Sequence, residues 1–242
     1  MANVAILIGA GSTIGKSIIS KLSADESVDQ VVAISREPSP QTAENGHKLE
    51  YVTSDYSEES IRLVCDDLES SESSITQVII CNGILHSEQI SPEKRLEDIS
   101  AASLLEVMSI NSVIPMLWLA RLAPLLRSDQ TCHVAVLSAR VGSIADNRSG
   151  GWYAYRASKA ALNMLVKTTA IELRRRAPNV KIIAFHPGTT DTGLSKPFQR
   201  SVPQGKLFTP DFVASALLQL LKSLGTDTEA EFFDWDGQQV PW

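Results

Sequence analysis

The chain has 242 residues, 43% hydrophobic and 21% charged, which is enough apolar material for one sizeable core and too little polar excess for a disordered protein. Its net charge of −6 and pI near 5.3 exclude a broad electrostatic grip on nucleic acid, whose phosphates demand a basic patch. They leave room for local capture of an anionic cofactor. The start, MANVAILIGAGS, lacks a basic region, and its apolar run ends at Gly9, too short for a secretory core or a membrane span. A cytoplasmic protein of one domain, 1–242, with no membrane partner is expected. Cys65, Cys81 and Cys132 are isolated, as are His47, His86, His133 and His186, so neither a disulfide scaffold nor a metal centre is indicated.

Val4–Ile8 reads as the first strand, apolar on both faces and so suited to burial between two helix layers. GAGSTIG follows, before a helix near Gly15–Leu22. Glycines at 9, 11 and 15 allow a tight turn, close backbone approach to a phosphate and close helix–strand packing. The same turn could serve a dinucleotide, a flavin or S-adenosylmethionine, or be only a turn. A second strand, Val31–Ser35, ends at Ser35 and Arg36, where a dinucleotide fold meets the adenosine ribose. A carboxylate there would bond a ribose 2′-hydroxyl, whereas a hydroxyl and a guanidinium fit a 2′-phosphate, so NADP(H) is expected over NAD(H). Glu37 follows at once, and a surface Arg–Glu pair is the rival reading.

Next come a polar surface loop, Glu37–Lys48, a strand at Leu49–Thr53, a helix at Glu58–Glu69 and a strand at Gln77–Cys81. A long helix covers Ser103–Leu126; within it Pro115 cannot donate to the Asn111 carbonyl, which is then free to accept from a water near Lys159, unless the proline makes only a kink. The fifth strand, His133–Ser138, delivers the Ser138 hydroxyl. GGWYAYRASK then opens a helix over Tyr155–Arg176, and Tyr155 and Lys159 lie on one face, about 6 Å apart along the axis. A phenol that titrates near 10 exchanges protons poorly at neutral pH, and a neighbouring ammonium favours its ionised form; Tyr155 is the acid in reduction and the base in oxidation. A strand at Lys181–Phe185, a segment at 189–208 long enough to cover a site, a helix at Pro210–Leu224 and a strand at Glu231–Asp234 complete the chain. Strands alternating with helices predict a parallel sheet covered on both faces.

These segments in this order resemble the short-chain dehydrogenase/reductase family, and LSARVGSI, GGWYAYRASKAALNM and HPGTTDTGLSKPF resemble its C-factor-like and sniffer-like carbonyl reductase branch. The resemblance implies an α/β, doubly wound Rossmann-type domain with a predominantly parallel seven-stranded sheet and a nicotinamide cofactor. It also implies a proton relay of Asn111, Ser138, Tyr155 and Lys159. The turn from Gly9 through Gly11, Ser12, Thr13 and Ile14 to Gly15 would hold phosphate and Asp55 adenine; Asn82 and Gly83, where the family has its Asn-Asn-Ala-Gly sequence, would contact the cofactor, as would Tyr155 and Lys159. Pro187, Gly188, Thr189 and Thr192 would orient the carboxamide. The family also forms dimers or tetramers, for which the helix faces at 103–126 and 155–176 are available. Three positions depart from the family pattern. Thr13 replaces a glycine, Cys81 replaces an asparagine, and counting back from Gly142 puts the family's serine on Ala139, with Ser138 one place early and Ser143 as a substitute.

An NADP(H)-dependent oxidoreductase acting on an aldehyde, ketone or quinone and its alcohol is therefore expected. The substrate pocket would be lined by Leu85, Arg140, Ile144, Trp152 and 189–208. The alternatives are a dinucleotide-binding signalling or regulatory protein with vestigial chemistry, and a methyltransferase, which leaves the Tyr155–Lys159 helix unused.

Overall fold

The computed structural model describes residues 1–38, 48–71, 73–227 and 229–242. The expected loop at Glu37–Lys48 lies mostly outside them. The chain runs β1 (Asn3–Ile8), α1 (Thr13–Ala24), β2 (Gln30–Ser35), β3 (Leu49–Thr53), α2 (Glu58–Glu69) and β4 (Ser74–Ile80). Then come α3 (Ala101–Met108), α4 (Ile114–Leu122), β5 (Cys132–Leu137), α5 (Tyr153–Arg176) and β6 (Val180–His186). The short pair β7 (Thr189–Thr190) and β8 (Leu207–Phe208), α6 (Pro210–Ser223) and β9 (Glu231–Asp234) close it.

Seven strands form one sheet in the order β3-β2-β1-β4-β5-β6-β9, and every pairing is parallel. The strands are apolar on both faces because both are covered. Val4, Ile6 and Ile8 share a core with Trp118 of α4 and Leu162 and Val166 of α5. Ala5 and Leu7 share the opposite core with Ile18 of α1 and Leu217 of α6. Strand order reverses between β1 and β4, and in open sheets of this kind the crevice beyond the strand ends at that point receives the ligand.

Two segments differ from their sequence reading. The single helix expected over 103–126 is divided by a wide π-type turn at Ser109–Val113, between α3 and α4. This run is apolar enough to cross a membrane by length and composition, yet Trp118, Leu119 and Leu122 belong to the sheet's core. The 189–208 segment has structure of its own: Thr189 pairs with Leu207 and Thr190 with Phe208, and a 3₁₀ turn at Lys196–Ser201 lies between.

Candidate active site

Gly9 ends β1 at φ +88°, and a Cβ there would lie 2.8 Å from the Asn82 backbone nitrogen. A Cβ on Gly15 would lie 2.6 Å from the Gly9 carbonyl oxygen, so both positions require glycine. Gly11 faces open space towards Ser35. Ser12 caps α1 by accepting from Gly15 N–H at 3.0 Å, leaving the first-turn amides directed at the cleft, an anion site by geometry and dipole. Sequence reasoning missed Tyr56. Its hydroxyl accepts from Gly9 N–H at 3.1 Å and donates to the Ile34 carbonyl at 3.3 Å, pinning the glycine turn to β2 from below. Only the full fold brings a residue 47 positions away under that turn.

Ser12, Thr13, Ile14, Asn82, Gly83, Ser138, Tyr155, Lys159, Pro187, Gly188, Thr189 and Thr192 all line one cleft of about 570 Å³. Ser35, Arg36 and Asp55 lie outside it, at the C-terminal ends of β2 and β3. Ser35 donates to the Glu37 carbonyl at 2.6 Å. Arg36 is exposed, and no described carboxylate is within ion-pair distance, so the Arg36–Glu37 pair is not formed. Asp55 accepts from Ser57 N–H at 2.9 Å ahead of α2.

At the other end, Tyr155 and Lys159 lie one turn apart on α5 and both line the cleft. Lys159 is 3% exposed and donates to the Leu137 carbonyl at 2.8 Å. Burial drives its pKa down to about 8 and that of Tyr155 up to about 12. The expected lowering of the phenol by the ammonium is therefore absent from this cleft, where burial dominates and favours both neutral forms. The turn after β5 packs tightly on α5, since a Cβ on Gly142 would lie 2.7 Å from Lys159 Cβ.

Asn111 sits in the π-type turn, fully buried. Its side chain accepts from Ile84 N–H at 2.7 Å and donates to the Ile84 carbonyl at 2.8 Å and to Ser158 Oγ at 3.0 Å, tying the loop after β4 to α5. The break is thus a bulge rather than a simple proline kink, of the kind common at functional sites. A Cβ on Gly83 would lie 3.3 Å from Asn111 Oδ1 and 3.5 Å from Lys159 Nζ, which places both within reach of one small space.

Ser138 reaches the cleft wall, but its hydroxyl donates to Asn163 Oδ1 at 2.6 Å. Ser143 is buried with Oγ accepting from Asp146 N–H at 3.1 Å, and it is not among the cleft-lining residues. Ala139 lines the cleft and offers no hydroxyl. On the substrate side, Leu85, Arg140 and Trp152 form wall as expected, whereas Ile144 is 79% exposed and points away from the lining. Phe198 of the 3₁₀ turn packs 5.0 Å from the Trp152 ring, which is itself 6.2 Å from that of Tyr155.

A second residue that sequence reasoning missed is Glu93. Helix α5 has no side-chain cap of its own, and Trp152 before it is left-handed at φ +53°. Glu93, buried at 4% exposure, takes the Trp152 N–H on its carbonyl at 2.6 Å and the Ala154 N–H on Oε2 at 3.2 Å. It caps the helix from 61 positions away, which no local capping pattern reveals.

A family model described as short chain dehydrogenase matches residues 3–202. Over 147 residues, 61% of this chain and 83% of the other, the sequence is 34% identical to the C-signal protein of Myxococcus xanthus. The fold superposes over its whole length on the carbonyl reductase Sniffer of D. melanogaster, with a TM-score of 0.86 and 19% identity. It does so also on an NADPH-bound carbonyl reductase from chicken fatty liver, with a TM-score of 0.83, 22% identity and full coverage of both chains. These two likenesses are of fold. The family match takes in every element from β1 to the turn that carries Phe198, and the chain belongs to the short-chain dehydrogenase family of oxidoreductases.

Proposed function

We propose that the protein is an NADP(H)-dependent reductase of aldehydes, ketones or quinones, with Tyr155 delivering the proton. The observation that carries this is the Tyr155–Lys159 pair, one helical turn apart with the phenol half-buried and the lysine buried, in the same cleft as the Ser12–Ile14 turn. The cleft fits a dinucleotide on two counts. Ser12, Thr13 and Ile14 bring the first turn of α1 to its wall, where helix amides favour phosphate, and Asn82 Oδ1 and His186 Nδ1 are buried without partners at the same wall. Arg36, with no described carboxylate within ion-pair distance at the end of β2, favours a 2′-phosphate.

When bound, the nicotinamide supplies the hydride. Tyr155, held neutral by burial, gives its phenolic proton to the carbonyl oxygen. Lys159 stands one turn away as the group that shares the resulting negative charge. The Asn111 carbonyl, which Pro115 cannot bond, is the acceptor through which a water would resupply the proton. Ser138 serves the substrate oxygen only with the Asn163 amide turned over. Asn163 Nδ2 is buried without a partner, and in that orientation it would donate to Ser138 Oγ and release the serine's own proton. Leu105, at 72% exposure on α3, and Met164, at 64% on α5, support a homodimer through these helices, for which sedimentation is the test.

NADPH consumption with a panel of carbonyl compounds, run beside Tyr155→Phe, tests the reading. Turnover should fall by about a hundredfold or more, the usual share of general acid catalysis. Full activity in Tyr155→Phe refutes it. The commitment of Ser138 to Asn163, together with the C-signal likeness, favours one other reading, a dinucleotide-binding signalling protein with residual chemistry. Tight NADPH binding with no turnover across the panel selects that one.

A further inference from the structure

Among the described residues, three cationic side chains line the cleft: Arg140, Lys159 and Lys206. Two are committed. Lys159 donates to Leu137 in the floor, and Arg140 pairs with Asp146 at 2.5 Å. Lys206 has no described carboxylate within ion-pair distance and instead lies over the Trp235 ring, 5.0 Å from its centroid. An ammonium on an aromatic face keeps its charge and remains free to leave.

Its backbone is fixed where that charge counts. Pro203 accepts from Lys206 N–H at 3.0 Å across a turn in which Gly205 is left-handed at φ +77°. The next residue, Leu207, pairs with Thr189. Trp235 and Phe208, 4.3 Å apart, back the Gly188 turn so closely that a Cβ on Gly188 would lie 2.6 Å from the Phe208 ring. The base of Lys206 therefore sits beside Gly188 and Thr189, in the cleft whose other wall is Ser12–Ile14.

A dinucleotide would bring a doubly charged diphosphate into this cleft on a chain of net charge −6. The α1 turn offers backbone amides, but its cleft-lining residues, Ser12, Thr13 and Ile14, carry no cation, and the Ser12 hydroxyl already accepts from Gly15. We propose that Lys206 is a ligand of the dinucleotide's diphosphate, its four-carbon stem swinging the ammonium from Trp235 to the phosphates. This rests on the dinucleotide-binding reading above. It gives the 189–208 segment a role in holding cofactor as well as substrate.

Calorimetric titration of NADPH, NADH, ADP-ribose and 2′-AMP into wild type, Lys206→Gln, Lys206→Arg and Arg36→Ala tests it. In Lys206→Gln, NADPH, NADH and ADP-ribose should all weaken by the same factor, about tenfold, the size of one charge-assisted hydrogen bond. Their salt dependence should also flatten. Binding of 2′-AMP, which lacks a diphosphate, should not change, whereas Arg36→Ala should weaken NADPH and 2′-AMP and spare NADH. Lys206→Arg should keep most of the affinity, which separates loss of charge from a folding defect. Affinities for all three diphosphates within twofold of wild type in Lys206→Gln overturn the proposal, as does a loss confined to NADPH or shared by 2′-AMP. A wild-type protein that binds no dinucleotide sinks the functional reading instead.

Discussion

Replacement of Glu93 by alanine tests whether a residue outside the cleft sets the position of Tyr155, the proposed proton donor. The substitution removes the acceptor of the Ala154 N–H, one residue before Tyr155, and the negative charge at the start of α5. Loss of a helix cap costs about 1 kcal/mol, and loss of a carboxylate at a helix N-terminus about 0.5 kcal/mol. The sum, about 1.5 kcal/mol, is an upper figure, because Glu93 Oε1 is buried without a partner and truncation relieves that burial. For a chain of this length, about 3 °C per kcal/mol gives a fall in Tm of about 4 °C. Glu93→Gln keeps the acceptor and forfeits only the charge, a fall of about 1 °C by the same conversion. The larger effect is on turnover: release of the first turn of α5 displaces the phenol, and displacement of about 1 Å costs tenfold or more in kcat. The affinity for NADPH, which the proposed reading assigns mainly to groups away from the first turn of α5, should stay put. Calorimetric unfolding, steady-state kinetics and NADPH titration on the two variants read all of this. If Glu93→Ala turns over like wild type, or loses NADPH affinity in proportion to kcat, the positioning argument is wrong.

Two further outcomes follow from the cleft. Burial depresses Lys159 to about 8 from 10.5, so in the ligand-free protein its buried ammonium opposes folding below pH 8. Between pH 8 and 10.5 the folded lysine has shed a proton that the unfolded chain still holds, and this group's contribution to stability rises. Denaturant unfolding of Lys159→Met beside wild type should show the variant more stable at pH 7 and the gap closing by pH 10.5; a gap independent of pH contradicts the assigned burial. The second concerns the missing hydroxyl. Ala139→Ser adds a donor on the cleft wall and should raise kcat for unactivated ketones by about tenfold, below the hundredfold or so that an optimally placed oxyanion donor supplies, with Ser138→Ala having little effect. A large loss in Ser138→Ala and no gain in Ala139→Ser would assign the donor role to Ser138 and its Asn163 amide.

Much of the fold is legible because its signals are local. Runs such as VAILI and VVAI, rich in β-branched residues and apolar at consecutive positions, suit strands covered on both faces, and the YxxxK spacing needs only the helical repeat to put both groups on one side. What stays hidden depends on through-space partners. The π-type turn at Ser109–Val113 looks like ordinary helix with a proline after it, because the pattern of apolar residues continues through it. Ser138 reads as a free hydroxyl at a strand end, but Asn163, 25 positions on, accepts its hydrogen bond. The pKa values were legible least of all. Charge spacing argues for a lowered phenol, whereas desolvation, which no sequence pattern reports, raises it.

The opposite displacements of Tyr155 and Lys159 bear on direction. A phenol pushed up to about 12 and an ammonium pulled down to about 8 mean that the ligand-free cleft resists charge on either group, and at neutral pH Tyr155 keeps its proton. That protonated state is the one from which the proposed reduction would start. Alcohol oxidation requires the phenolate, which burial opposes until a compensating charge arrives. The elements holding the pair serve this arrangement. Glu93 fixes the first turn of α5, Gly142 lets the β5 turn close on Lys159, and Asn111 ties the β4 loop to Ser158 between them. These three contacts come from three separate parts of the chain and converge on Ala154, Ser158 and Lys159 of one helix. The proposed chemistry is concentrated in Tyr155 and Lys159, while the burial that sets their protonation is a property of the whole fold.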